Sequence, residues 1–331
     1  MEKGQLILAQ HALAESRHSP GRLSLNWRLG VDRVSGWSMG LITVGVSSLV
    51  LTITGALLAR AWPLLSTYPL DDLLFSGAWQ PIRGLFGFWP FLVGSAAVTL
   101  LAMLLAAPVA LLSAVYLAEY TATRKLFKPV VDVLASIPSV VYGLWGILVI
   151  VPLVRTTIGP WLGGTLGHVI PLFANNNPTG YGLLAGGIVL AIMVFPFVVA
   201  VAEEVLHSVP QATREASLAL GATKWETVKY VVLRRARTGL IAAVVLGFSR
   251  AFGETLAVMM VIGNIAQVPG SVFDAAYPLP ALIANNYGEM MSVPLYDAAL
   301  MLAALILLLV VLVFNVGARV IIVRLEGGVK E

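Results

Sequence analysis

Six runs of this chain, approximately Gly36–Ala59, Phe88–Leu117, Val130–Val154, Tyr181–Ala202, Thr238–Asn264 and Val293–Ala318, are apolar over a length that crosses a bilayer core of about 30 Å as a helix. Hydrophobic residues make up 58% of the 331 and charged residues only 11%, far from the balance of a soluble domain. The chain therefore reads as an all-α polytopic membrane protein with six transmembrane helices.

Lys and Arg fall on alternate sides of these runs. The first tail holds Lys3, Arg17, Arg22, Arg28 and Arg33, and the second-to-third connection holds Arg124, Lys125 and Lys128. The fourth-to-fifth connection holds Arg214, Lys224, Lys229, Arg234, Arg235 and Arg237, and the last tail holds Arg319, Arg324 and Lys330. The opposite side has only Arg60, Arg83 and Arg155, so both termini and the two basic connections are expected in the cytoplasm. The formal charge of +4 is thus a topology signal, and no nucleic-acid partner is expected.

The predicted organisation is a cytoplasmic tail over residues 1–35, a transmembrane domain over 36–319 with a cytoplasmic loop at 203–237, and a cytoplasmic tail over 320–331. Leu23 to Val34 mixes Leu, Trp and Val irregularly with Arg28, Asp32 and Arg33, which reads as a short interfacial helix or as a disordered tail. The polar tail and the long first run do not fit a cleavable signal, so that run is expected to be retained.

Several chemistries lack their residues. There is no cysteine for a disulfide or thiolate site, and the four histidines, His11, His18, His168 and His207, form no HExxH pair, so no metal site is expected. No Gly-Lys dipeptide occurs, so no Walker A loop can be written and ATP hydrolysis is expected of another chain.

Arg250 and Glu254 stand in the middle of the fifth run, Thr238 to Asn264. A charge at the centre of a membrane helix costs roughly 2.5–3.5 kcal/mol on insertion scales, so it persists where it is paired, faces water or has a task. The i,i+4 spacing puts both on one helical face, where they can pair. One reading is a charged patch on the route of a polar or anionic solute; the other is an ion pair locking helices together. Pro108, Pro138, Pro152 and Pro196 interrupt the spans, and Ile137-Pro138-Ser139-Val140-Val141-Tyr142-Gly143 is a helix-breaking patch with two hydroxyls. These fit a bundle around a cavity, or ordinary kinking and close packing. On the external side Trp62, Trp79, Trp89 and Trp161 fit an interfacial belt, and Asn175-Asn176-Asn177-Pro178 and Asn285-Asn286 fit exposed turns or docking loops.

In the loop from Ala202 to Arg237, Ser208 with Gln211 and Thr223 with Glu226 match capping boxes, and Gly221 between them predicts two helices meeting at a corner. Ala212, Glu215, Ala216 and Ala219 share one side of the first helix, a small-residue surface with one acid. It suits a docking face or a surface-lying connector.

Glu215-Ala216-Ser217, three residues, Gly221, nine residues and Val231-Val232-Leu233 resemble the EAA loop of ABC importer permeases, with Ser217, Val231 and Arg234 where that pattern has Ala, Ile and Pro. Ser249-Arg250-Ala251-Phe252-Gly253-Glu254-Thr255-Leu256-Ala257-Val258 and Val261-Ile262-Gly263-Asn264 resemble the fifth span of phosphate-specific permeases of the PstC type, and Ile137–Gly146 is similar as well. The sister PstA-type permeases differ after Thr255.

The resemblance implies a permease subunit that imports phosphate with a PstA-type permease, a PstB-type ATPase dimer and a PstS-type phosphate-binding protein. ATP and Mg would bind the ATPase, with no cofactor on this chain and no catalysis by it. On that reading Arg250 and Glu254 belong to the substrate pathway, with Glu254 holding Arg250 while the cavity is empty, and Ser139, Ser249 and Thr255 either add neutral hydrogen bonds there or bond to their own helix backbone. Glu215, Ala216, Ala219 and Gly221 are assigned to ATPase docking. A permease for molybdate or sulfate would share the docking loop, and an ion-coupled secondary transporter would also explain an intramembrane Arg and Glu.

Overall fold

The computed structural model of the protein describes residues 25–121, 124–290 and 292–327. Lys3, His11, Arg17, His18, Arg22, Leu23 and Lys330 lie outside the described residues. By backbone contacts the chain divides into two units, Met1–Ala56 and Leu57–Glu331.

The described part of the first unit is helical and belongs to α1 (Leu25–Thr67). Of the segment Leu23–Val34, expected as an interfacial helix or a disordered tail, the described part from Leu25 is helical and runs on into the first apolar run within this helix. Its described side chains up to Ala56 are almost all exposed. Thr43, Ser47 and Thr52 each donate to the carbonyl four residues back, and Ser38 and Ser48 to the one three back. These hydroxyls are satisfied within their own helix, as an apolar surround demands.

In the second unit α2 (Leu70–Phe75) and a two-stranded ribbon, β1 (Trp79–Gln80) and β2 (Leu85–Phe86), lead into α3 (Trp89–Val115), which widens into a π turn at Tyr116–Tyr120. There follow α4 (Arg124–Ser136), α5 (Ser139–Thr165), α6 (Leu183–His207), α7 (Gln211–Ala219), α8 (Leu233–Phe252), α9 (Leu256–Met259), α10 (Leu279–Asn286) and α11 (Tyr296–Gly327). Among the described residues, five helices are long and apolar enough to cross a membrane, within α1, α3, α5, α6 and α11.

The expected fifth run is not one of the five. Its helix stops at Phe252, because Gly253 leaves the helix, Glu254 caps the next turn and α9 lasts only four residues. The expected third run is displaced too. Pro138 separates α4 from α5, so Val130–Ser136 belongs to α4 and the spanning helix continues to Thr165. Proline lacks the N–H that would meet the carbonyl four residues back. The π turns Gly146–Ile150 and Val154–Ile158 lie where Pro152 and Pro160 leave such gaps.

The main core forms where α3 and α6 pack along each other, with Val98, Ala102, Val189, Val194 and Val198 buried between them and their neighbours. A second core joins the end of α1, through Ala61 and Leu64, to Phe86, Phe88, Phe91 and α11. Trp79 belongs to that core, edge-on to Phe91 at 4.8 Å, whereas Trp62 and Trp161 are exposed as a belt requires.

Candidate functional site

The helix breaks after α8, at Gly253, and resumes at Leu256. The Glu254 carboxylate accepts from the Ala257 backbone N–H at 3.2 Å, while the Thr255 hydroxyl donates to the Gly253 carbonyl at 3.4 Å. After α9 the chain turns through Gly263 and Asn264 in the left-handed region, φ 93° and 51°. Asn264 closes the turn by donating from Nδ2 to the Met259 carbonyl at 2.7 Å, and its Oδ1 is buried without a hydrogen-bond partner.

This irregular backbone is tolerated at depth because protein covers it. Val258, Val261 and Ile262 are buried, Ala276 N–H bonds to the Ile262 carbonyl, and α5 packs on α9. Gly143 makes that packing fit: a Cβ there would stand 2.6 Å from Met260 Sδ and 3.2 Å from Ala257 Cα.

Arg250 ends α8 exposed, with its guanidinium carbon 5.0 Å from the centre of the Phe197 ring. It does not pair with Glu254: the helix ends between them, so the i,i+4 rule no longer applies, and the carboxylate is spent on Ala257. Among the described residues no protein acceptor takes an Arg250 N–H. Ser249 donates to Asn315 Oδ1 of α11 at 3.1 Å, a partner the sequence reading missed because it lies 66 residues on. Ser139 opens α5 half-buried, directly after the Pro138 break. Arg250, Glu254 and Thr255 are thus grouped by the break itself, Ser249 is turned toward α11, and Ser139 stands on the element packed against α9.

Beside the break lies an open cavity of about 630 Å³, whose lining includes Asn176, Asn177, Thr179, Met259, Asn264 and Gln267. Asn177 joins its two walls, donating to the carbonyls of Tyr181 at 2.6 Å and Phe273 at 2.9 Å.

The loop between α6 and α8 has the predicted corner. α7 ends at Ala219 and Gly221 turns the chain at φ 88°. The Thr223–Glu226 capping box is complete, with both reciprocal bonds present. Thr223 holds the Glu226 carboxyl below its ordinary range by donating to it from backbone and hydroxyl. The expected Ser208 box is absent: α6 runs through His207, Ser208 donates back to the Val205 carbonyl, and Pro210 precedes α7 without a side-chain cap. Lys224–Glu226, the π turn Thr227–Val232 and α8 follow one another without a break, since Arg234 replaces the proline that would interrupt them.

Glu215, Ala216, Ala219 and Gly221 are all exposed, and so is Leu220, at 90%. Ser217 faces the other way, its hydroxyl 2.9 Å from that of Thr227. The loop therefore offers a small-residue face with one acid, and beside it the exposed Leu218 and Leu220.

Spanning helices, a broken helix that carries an uncompensated arginine, and an exposed corner helix define a multi-pass membrane permease. Residues 102–329 match the family of binding-protein-dependent transport system inner membrane components, and the chain belongs to that family. It is 37% identical to the phosphate transport system permease protein PstC of Xylella fastidiosa (strain 9a5c) over 294 residues, 86% of this chain and 90% of that one. It is 40% identical to PstC of Mycobacterium leprae over 226 residues, 66% of this chain and 70% of that one. Among solved structures it is similar to a chain from inward facing conformations of the MetNI methionine ABC transporter, with a TM-score of 0.53 and 20% identity, covering 72% of this chain and 97% of that one.

Proposed function

We propose that this chain is a PstC-type permease subunit that moves inorganic phosphate into the cell by alternating access, driven by ATP hydrolysis on partner subunits. The observation that carries the reading is Arg250, an intramembrane cation whose N–H donors no described protein group takes. A guanidinium offers planar, charge-assisted donors suited to an oxyanion, and Phe197 holds it by the ring face without using those donors. The named relatives are phosphate permeases, which agrees with that chemistry.

Membership of an ABC importer family disfavours the ion-coupled carrier, and calls for a second permease and an ATPase. The partners are a PstA-type permease, a PstB-type ATPase dimer that binds ATP and Mg²⁺, and a PstS-type phosphate-binding protein. Arg250 is exposed on this chain, so the second permease closes the pathway around it. Glu254 holds the break open by capping α9; Ser139, Ser249 and Thr255 supply neutral hydroxyls along the route. The ATPase docks on Glu215, Ala216, Ala219 and Gly221, at the cytoplasmic surface together with both termini.

The test is ATP-dependent uptake of labelled phosphate by the co-expressed complex in proteoliposomes. Arg250→Gln is expected to abolish uptake while the ATPase still co-purifies. Normal uptake by that assembled variant would remove Arg250 from the pathway, and a wild-type complex that ignores phosphate but moves molybdate or sulfate would change the substrate.

A further inference from the structure

None of the nine residues of α7 is buried, so the docking helix has no apolar anchor in the bundle. Polar links hold it instead. Arg214, on the side of α7 away from the docking face, reaches the π turn that ends α3: its Nη2 stands 2.7 Å from Glu119 Oε1, with Nε at 3.2 Å from the same oxygen. The same guanidinium donates to the Leu206 carbonyl at 2.8 Å and to the Val209 carbonyl, at the C-terminal end of α6. Both partners of the pair are largely buried, Arg214 at 13% and Glu119 at 8% side-chain exposure.

A second link grips the same turn from beyond the Gly221 corner. Lys224 Nζ lies over the Tyr120 ring, 4.9 Å from its centre. Between the two links is a cavity of about 470 Å³, lined by Glu119, Arg214 and Lys224 among others, while beyond the corner Thr227, Val228 and Val232 pack the π turn into the protein.

We infer that Arg214 and Glu119 form the clasp that transmits movement of the docking helix to α3 and α6, making Arg214 a positioning residue for transport. This rests on the ATP-driven reading above. A buried ion pair contributes little net stability compared with apolar packing, because desolvation offsets its attraction. It does fix geometry: one planar fork ties the end of α3, the end of α6 and α7 to each other. The two long helices it joins are those packed along each other in the main core, so displacement of the clasp moves the centre of the bundle. The π turn at 116–120 is the local irregularity at which α3 yields to that pull.

The test reads solute moved per ATP hydrolysed in the reconstituted complex, with phosphate, molybdate and sulfate each offered. R214Q and E119Q are expected to keep the ATPase bound and hydrolysing while that ratio falls about tenfold, within the usual range of coupling between sites. The double variant is expected to fall no further than the worse single one. Because the chain has no cysteine, E119C/R214C can be bridged selectively with a short, reducible bifunctional thiol reagent. Bridging is expected to restore the ratio, and reduction to remove it again.

An unchanged ratio in both single variants, uptake that falls only in step with complex yield, or a bridge that restores nothing would each overturn the clasp. A wild-type complex that moves molybdate or sulfate but not phosphate overturns the phosphate reading alone, and the ratio then tests the clasp with that solute.

Discussion

Arg250 is held by the face of a ring, not by an acid, so it is not half of an ion pair with Glu254, and the proposed pathway role makes its fork testable. Arg250→Lys is therefore expected to lose most uptake although it keeps the charge, because a point charge lacks the planar fork; labelled-phosphate uptake at equal complex yield checks this. Glu226 makes a different prediction. Its carboxyl is held low by Thr223, so the cap stabilises the loop above the ordinary glutamate range and fades as pH falls through the lowered value. The protection of amides 223–227 against exchange, taken relative to the intrinsic rate at each pH, is expected to fall toward acid in the wild type, and to be low and independent of pH in Thr223→Ala. Arg250 was legible as a candidate because it and Glu254 are charges in an apolar run; its ring partner was not, because Phe197 is 53 residues away and looks like any core aromatic.

At the scale of elements, two glycines decide geometry for different reasons. Gly221 has open space where a Cβ would go, so its constraint is backbone conformation alone. Gly221→Val is expected to cost about 1–2 kcal/mol and to weaken the docking corner, read as lower ATPase co-purification. Gly143 is constrained by space: Gly143→Val would press on the Ala257 backbone, and overpacking of this kind costs about 1–3 kcal/mol, read as a lower melting temperature of the purified complex. The Gly221 corner was legible because φ above zero and a capping box leave local signatures. The limits of the third and fifth spans were not, because apolar composition continues across Pro138 and Gly253 while the helix does not.

For the molecule as a whole, the alternation of basic connections makes a topology that can be measured. The absence of cysteine allows single probes to be introduced cleanly. Asn176→Cys is expected to react with an impermeant thiol reagent in intact cells, and Ser217→Cys only after permeabilisation; the reverse pattern would invert the orientation. Within the second unit, α3 and α6 form the centre, and α7 hangs from their ends by Arg214.

The amino-acid sequence by itself determined that this is a helical membrane protein, where its corner helix turns, and that Arg250 and Glu254 are charges set in an apolar run, because hydropathy, glycine conformation and capping are local properties that neighbours along the chain decide. Only the tertiary structure decided that Glu254 caps a helix instead of pairing with Arg250, that Trp79 is core, and that Arg214 clasps Glu119 across 95 residues of chain. Each of those depends on which groups reach an acceptor or a ring first in three dimensions, and sequence spacing carries no record of that competition once a helix ends.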